Sequence, residues 1–470
     1  MTIEAIAMDR RAMMALMGGG LAGGGLVAPG IAAAPESTSP EAWTRLWSDP
    51  EVERRIADGI RANRMGNIRL QLRDRAGRPV QGRVRVRQTR HHFNFGANGF
   101  MVGGFADPAR NAAWEAAFAR LFNIVTVPFY WRDFEPTPGA YRIDETSAPL
   151  YRRPPAERVL AFAERWGLRT KGHVLVWNQP DLSIPAYWPR DDAERIALIE
   201  RRARMLADRF GSRIGVWDVV NEVLHSSRRF PADAMPPDYP AIALDAADTA
   251  FPDDTTLLVN EATPEAWDEI GGDGTPYYLL LRSLIARGKR VDAVGLQMHY
   301  FAEAEVADSL AGKLRTPRQL FAALDLYARL ERPLHVTEIT IPTLPQFGGA
   351  EMQAAWTRNL YRLWFSHPKV EAITWWNLAD GTAYAGEDRW NGGLLEKDSL
   401  RPKPAYLALD RLINTEWKSD VRATTDAAGQ ADMRLFHGDY RIEVETNAGG
   451  WVDARALAPG EDANWLVSLP

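Results

Sequence analysis

Between Phe93 and about Leu412 the chain alternates short β-branched, apolar runs with amphipathic helical stretches, and no other feature constrains its fold as tightly. Eight such runs occur: Phe93–Ala97, Ile124–Val127, Lys171–Trp177, Val216–Asn221, Thr256–Asn260, Ala293–His299, Leu334–Ile339 and Ala372–Asn377. Helical patterns over Pro108–Leu121, Pro155–Trp166, Asp191–Phe210, Thr275–Ala286, Pro317–Arg329 and Met352–Phe365 lie between them. Parallel strands joined by helices need cover on both faces, and eight βα units can close into an α/β (β/α)8 TIM barrel. A doubly wound open sheet competes, but it calls for a glycine-rich first turn that the chain lacks. In a barrel the C-terminal strand ends converge, so chemistry is expected there.

Outside 91–416 the periodicity changes. Residues 35–65 read as a helical lead-in. Ile68–Val86 reads as strand, turn at Asp74–Pro79, strand, and 417–470 offers further short strands with turns at Asp426–Gly429 and Asn447–Gly450. The wording of the two pieces (66–90 and 417–470), RDRAGRPVQGRVRV and TTDAAGQADMRLFHGDYRIEVE, resembles the beginning and end of a carboxypeptidase-regulatory-like β-sandwich. One small all-β sandwich assembled from both chain ends is therefore expected, with the barrel inserted between its halves. Residues 1–34 carry Arg10-Arg11, a weakly apolar Gly/Ala stretch and Ala32-Ala33-Ala34, the pattern of a cleaved twin-arginine export signal; a periplasmic or secreted location follows as an expectation, with no membrane contact after its removal.

The formal net charge of −5 argues against nucleic acid as a partner. Cysteine is absent, which removes disulfides, thiolate metal sites and a Cys nucleophile. Seventeen Trp is a high count; more than half are expected in the core, and flat indoles beyond core needs suit the apolar faces of sugar rings.

Two carboxylates end β-type runs: Glu222 after Trp217-Asp218-Val219-Val220-Asn221, and Glu338 in Val336-Thr337-Glu338-Ile339. A pair of acidic groups on different strand ends is what retaining glycoside hydrolysis requires, one to attack carbon and one to protonate the leaving oxygen. With Lys171-Gly172-His173-Val174-Leu175-Val176-Trp177, Gly295-Leu296-Gln297-Met298-His299 and Thr374-Trp375-Trp376-Asn377 in the same order, residues 91–416 resemble glycoside hydrolase family 10, best known for endo-β-1,4-xylanases. The resemblance implies cleavage of β-1,4-xylan or xylo-oligosaccharides, with Glu222 as general acid/base, protonated at rest, and Glu338 as ionised nucleophile. It implies that Asn221 binds the sugar 2-hydroxyl, that Gln297 and His299 stand beside the nucleophile, and that His173 and Trp177 line the cleavage subsite. Trp375 or Trp376 would form an apolar wall, the other being core. No cofactor or catalytic metal is implied, although Gln297, His299 and Glu338 could be imagined as ligands. The near alternatives are another β-linked plant glycan or glycoside, and a sugar-binding protein without turnover.

The second strand departs from that pattern. Family xylanases carry a Glu-Asn pair and a Lys there to hold the second sugar, whereas this chain reads Thr126-Val127-Pro128-Phe129-Tyr130-Trp131-Arg132-Asp133-Phe134-Glu135-Pro136. Tyr130 is the candidate to meet the sugar instead, by stacking. Asn178, where His is usual, and Glu261, where Asp is expected, also point to altered specificity.

Overall fold

The computed structural model describes residues 40–460 and 462–470, so the export-signal reading of 1–34 lies outside the described residues. Two helices, Pro40–Trp47 and Pro50–Arg64, form the lead-in. Two strands then precede the barrel, β1 (Met65–Arg73) and β2 (Arg83–His91). The barrel strands are β3 (Asn94–Asn98), β4 (Ile124–Pro128), β5 (Arg169–Trp177), β6 (Val216–Asn221), β7 (Thr256–Glu261), β8 (Ala293–His299), β9 (Leu334–Thr340) and β10 (Val370–Trp375). They close in the order β10-β3-β4-β5-β6-β7-β8-β9, every pair parallel. Closure leaves no strand edge exposed.

The strand compositions follow from this closure. Every residue of β4 and β9 is buried, because the barrel interior covers one face and helices cover the other; β4 therefore reads Ile-Val-Thr-Val-Pro without a polar alternation, and β9 buries His335, Thr337, Glu338 and Thr340 along with its apolar residues. Helix starts are fixed by local chemistry. The Asp107 carboxylate accepts from Ala109 N at 2.8 Å with Pro108 in the first turn, and Asp191 accepts from Glu194 N at 3.0 Å. Thr316 and Gln319 form a reciprocal capping box. One boundary differs from expectation: β10 stops at Trp375, and Trp376 instead donates its backbone N–H to Ile339 O at 2.9 Å. Trp376 and Asn377 thus stand at the mouth of the barrel and not within its wall.

After the barrel come β11 (Asp420–Thr424), β12 (Gln430–Phe436), β13 (Gly438–Thr446), β14 (Gly449–Leu457) and β15 (Ala463–Ser468). One sheet runs β12-β1-β15 and the other β11-β2-β13-β14, so each combines a strand from before the barrel with strands from after it. Ile68, Leu70 and Leu72 of β1 pack with Val84, Val86, Tyr440, Ile442, Val444, Trp465 and Val467 in a core separate from that of the barrel. The segment Asp74–Pro79 passes the chain from one sheet to the other and does not close a hairpin.

The two parts are tied at the barrel base. Arg64, 9% exposed, donates to Phe365 O at 2.5 Å and to Val370 O at 2.7 Å, and burial lowers its pKa to about 10. Trp417 stacks on Phe365 at 4.1 Å.

Candidate active site

Glu222 follows β6 in a left-handed conformation (φ 53°), an uncommon state for a residue with a Cβ and one often found at working sites. Its backbone N–H donates to Asn260 O at 2.8 Å, and it opens the short helix Val223–Arg229. Beneath it, Glu261 at the end of β7 accepts from Leu224 N and Ala262 N, both at 2.9 Å. A carboxyl at a helix N-terminus supplies acceptors that the first turn lacks. Full burial nevertheless pushes Glu261 up to about 8. Glu261 therefore places the turn that carries Glu222, its carboxyl spent on backbone amides.

Glu338 lies on β9, 4% exposed. Its Oε1 accepts from Asn260 Nδ2 at 2.9 Å and from Gln297 Nε2 at 3.2 Å, and its Oε2 stands 3.3 Å from His299 Nε2. Gln297 Nε2 also donates to Glu222 Oε1 at 3.0 Å. One amide nitrogen thus spans both carboxyls, and the two bonds cap the Oε1–Oε1 separation at about 6 Å. Inverting pairs keep roughly 6.5–9.5 Å between carboxyls and retaining pairs roughly 5–5.5 Å.

Burial pushes the Glu338 carboxyl up to about 8; Glu222 and Asp218 add to this, while His173 and Lys171 oppose it. Desolvation thus works against the ionised form that the nucleophile role requires, while the donors on both oxygens work for it. Burial drops His299 to about 4, so its imidazole is neutral. With Nδ1 2.9 Å from Thr340 Oγ1, the tautomer that accepts from the hydroxyl leaves Nε2–H to donate to Glu338.

A second polar group lies deeper. Asp218, fully buried, accepts from His173 Nδ1 at 2.8 Å and Lys171 Nζ at 3.0 Å. Burial alone would raise its pKa, but Lys171 and His173 outweigh it and hold the carboxyl below the usual range. His173 is thereby fixed in orientation. Its ring meets Tyr130 at 5.4 Å and Trp376 at 5.5 Å, both edge-on, and Trp376 also meets His299 at 6.1 Å.

Of the sequence candidates, Glu222, Glu338, Asn221, Gln297, His299, His173, Tyr130, Trp177 and Trp376 come together at one barrel mouth. Asn221 Oδ1 accepts from Asn260 Nδ2 at 2.7 Å. Trp177 is half-buried, and its Nε1 is buried without a partner among the described residues. Trp375 does not join them: it is fully buried in the core and donates Nε1 to Gly392 O at 3.0 Å. Sequence reading missed Asn260, Asp218, Arg202 and Phe100. Arg202 donates to Leu175 O at 2.7 Å and Val174 O at 3.0 Å, with a further bond to Phe129 O, and so ties the ends of β4 and β5. A signal was present: Arg202 is a charge on the helical face of Ile199, Ala203 and Leu206.

Comparison with known proteins agrees with this geometry. The model of "Glycosyl hydrolase family 10" matches residues 98–411. The endo-1,4-beta-xylanase B of Thermotoga neapolitana is 25% identical over 64% of this chain and 83% of the relative. The anti-sigma-I factor RsgI6 of Acetivibrio thermocellus is 25% identical over 86% of this chain and 47% of its own length; the chain spans about half the length of that relative. The fold is shared with native xylanase 10B from Thermotoga maritima at a TM-score of 0.54, with 23% identity, 69% of this chain and 96% of that one covered.

Proposed function

Because this chain belongs to glycosyl hydrolase family 10, we propose that it cleaves β-1,4-linked xylan or xylo-oligosaccharides with retention, by double displacement. The observation that carries the reading is the single Gln297 amide bonded to both Glu222 and Glu338, which sets the two carboxyls within reach of one anomeric centre. The names of the Thermotoga relatives, endo-1,4-beta-xylanase B and xylanase 10B, support xylan as the substrate.

In this mechanism Glu222 carries the proton destined for the leaving oxygen, and Glu338 is the ionised partner. Donors from Asn260, Gln297 and His299 then stabilise the ionised Glu338, whose oxygen attacks the anomeric carbon. Glu222 gives its proton to the departing oxygen, and the bond from the anomeric carbon to that oxygen breaks. In the second step Glu222, now anionic, takes a proton from water, and the resulting oxygen displaces Glu338. Asn221, its oxygen committed to Asn260, offers amide N–H groups to the 2-hydroxyl, a contact that strengthens in the transition state. His173 and the free Trp177 Nε1 bind the sugar in the cleavage subsite, and Trp376 walls it.

The test is incubation with activated 2-deoxy-2-fluoro xylosides followed by intact-mass measurement and peptide mapping. A covalent adduct on Glu338 is expected. Absence of any adduct across xylo-, gluco- and manno-configured reagents would leave a sugar-binding protein without turnover. An adduct from another sugar alone would move the substrate to a different β-linked glycan, the reading favoured by Tyr130 replacing the xylanase polar set. We also propose twin-arginine export, on the strength of Arg10-Arg11 and Ala32–Ala34; retention of an Arg10→Lys, Arg11→Lys double variant in the cytoplasm is the expected result.

A further inference from the structure

Between Phe134 and Ala156 the chain runs for about twenty residues without regular structure, a length that in a well-packed domain usually serves a purpose. The segment is held along its length. Arg142 donates to Ala148 O at 2.5 Å and Arg153 O at 3.2 Å, and Arg153 Nε donates to Asp133 Oδ2 at 2.9 Å while its guanidinium lies 3.6 Å over the Tyr130 ring. Its far end reaches the loop after β10: Arg152 Nη1 donates to Asn377 Oδ1 at 2.5 Å and to Thr382 O, and Tyr151 Oη donates to Ala383 O at 3.3 Å. The segment leaves from β4 and is pinned beyond β10, and in the barrel β3 lies between those two strands. It therefore forms a strap across the mouth over β3, where Phe100 is 1% exposed and 5.3 Å from the Arg152 guanidinium.

Arg152 is the costly part of the strap. It is 4% exposed, takes φ 59°, and among the described residues has no carboxylate within ion-pair distance; Glu387, whose Oε2 accepts from the shared Asn377 at 3.1 Å, acts on it from further away. A buried arginine in a left-handed backbone state persists only where its surroundings over-determine it.

The end of the cleft that the strap covers follows from the chemistry. A leaving group lies on the side of the acid, Glu222, and the glycone on the far side of Glu338. Trp376, beneath the strap and edge-on to Phe100, also meets the ring of His299, whose Nε2 stands 3.3 Å from Glu338 Oε2, whereas Glu222 opens the helix Val223–Arg229 after β6. The covered end is thus the glycone end, lined by the cluster Phe100, Tyr130 and Trp376, all buried. On the side of the acid Glu222, Leu224 and His225 are partly exposed.

We propose that the 135–155 strap, pinned by Arg152 on Asn377 and Thr382, closes the glycone end of the cleft and makes the protein an exo-acting glycosidase that removes one fixed glycone length from the non-reducing end. This rests on the hydrolytic reading above. The strap determines which bond of a chain is cut, and leaves the chemistry of cutting to the two glutamates.

Two measurements on the full chain keep the two readings apart. Hydrolysis of aryl β-xylosides and aryl β-xylobiosides reports chemistry alone. Xylo-oligosaccharides of increasing length, labelled at the reducing end, report the bond cut, together with the viscosity of soluble xylan. The wild-type protein is expected to release the same unlabelled product from every chain, the label staying on the shortened remainder, with little loss of viscosity per bond broken. Arg152→Gly removes the pin and suits the positive φ, which limits harm to the fold. It is expected to raise the share of internal cuts by an order of magnitude and to broaden the products. An active wild-type protein that cuts internally, with a spread of products and a rapid fall in viscosity, overturns the strap inference while sparing the hydrolytic reading. Failure on both substrate sets overturns the hydrolytic reading, and the inference falls with it.

Discussion

Glu338 carries opposing demands in one side chain. Attack on carbon needs it ionised, while burial among Trp376, Tyr130 and the barrel wall lifts its pKa to about 8. The acid limb of kcat/KM for an activated aryl glycoside is therefore expected well above the ordinary carboxylate range, since the fraction of ionised Glu338 in the free protein falls as pH falls through its raised pKa. Glu222→Gln removes one of the charges that raise it, so the limb should move to lower pH; a limb that stays put would detach Glu222 from the pair. The sign for stability runs the other way. A group whose folded pKa exceeds its unfolded value contributes stability that is full at low pH and is lost as pH rises through the folded value. Glu338→Gln should thus melt higher than wild type, by a margin that widens between about pH 5 and 8. Glu222→Ala should slow substrates with poor leaving groups by about 10²–10⁴ and activated aryl glycosides far less, a difference read from a leaving-group series. Equal losses across the series would remove Glu222 from the acid role.

At the scale of elements, strand ends place the carboxyls and short polar ties fix their direction. Val223–Arg229 is only two turns long, so the turn bearing Glu222 depends on Glu261 accepting from Leu224 N and Ala262 N. Glu261→Ala leaves those amides unpaired inside the protein, at a cost of about 1–3 kcal/mol. It should also lower kcat by about 10²-fold with little change in KM, because displacement of a catalytic group by an ångström is enough for that loss. Glu261→Gln keeps one acceptor oxygen and should recover part of the rate, which a purely global destabilisation would not predict. Arg202 does similar service for β4 and β5, and it went unnoticed in the sequence because its meaning depends on three carbonyls that only the folded loop brings together.

At the scale of the molecule, β1 and β2 form no hairpin with each other and take their neighbours from β11 to β15, some 350 residues later. A chain truncated after Trp417 leaves two unpaired strands and uncovers Ile68, Leu70, Val84 and Val86. Such edges template aggregation. The truncated protein is expected to be insoluble, and the full chain to show one calorimetric transition with barrel and sandwich melting together through the Arg64 and Phe365–Trp417 junction. A soluble, active barrel after truncation would show the sandwich to be an independent attachment.

By itself the sequence determined the alternation that closes the barrel, the two β-type pieces that flank it, and the strand ends bearing Asn221, Glu222, Gln297, His299 and Glu338. Those properties are legible because burial on both faces, period-two alternation and strand-end position are local consequences of residue type. Only the tertiary structure decided which of Trp375 and Trp376 faces the mouth, what Glu261 and Asn260 hold, how strongly burial opposes a charge on Glu338, and that a loop from one strand is pinned to another across the cleft. Each of these turns on distances between groups tens to hundreds of residues apart, and on the desolvation that their packing imposes, neither of which any local pattern encodes.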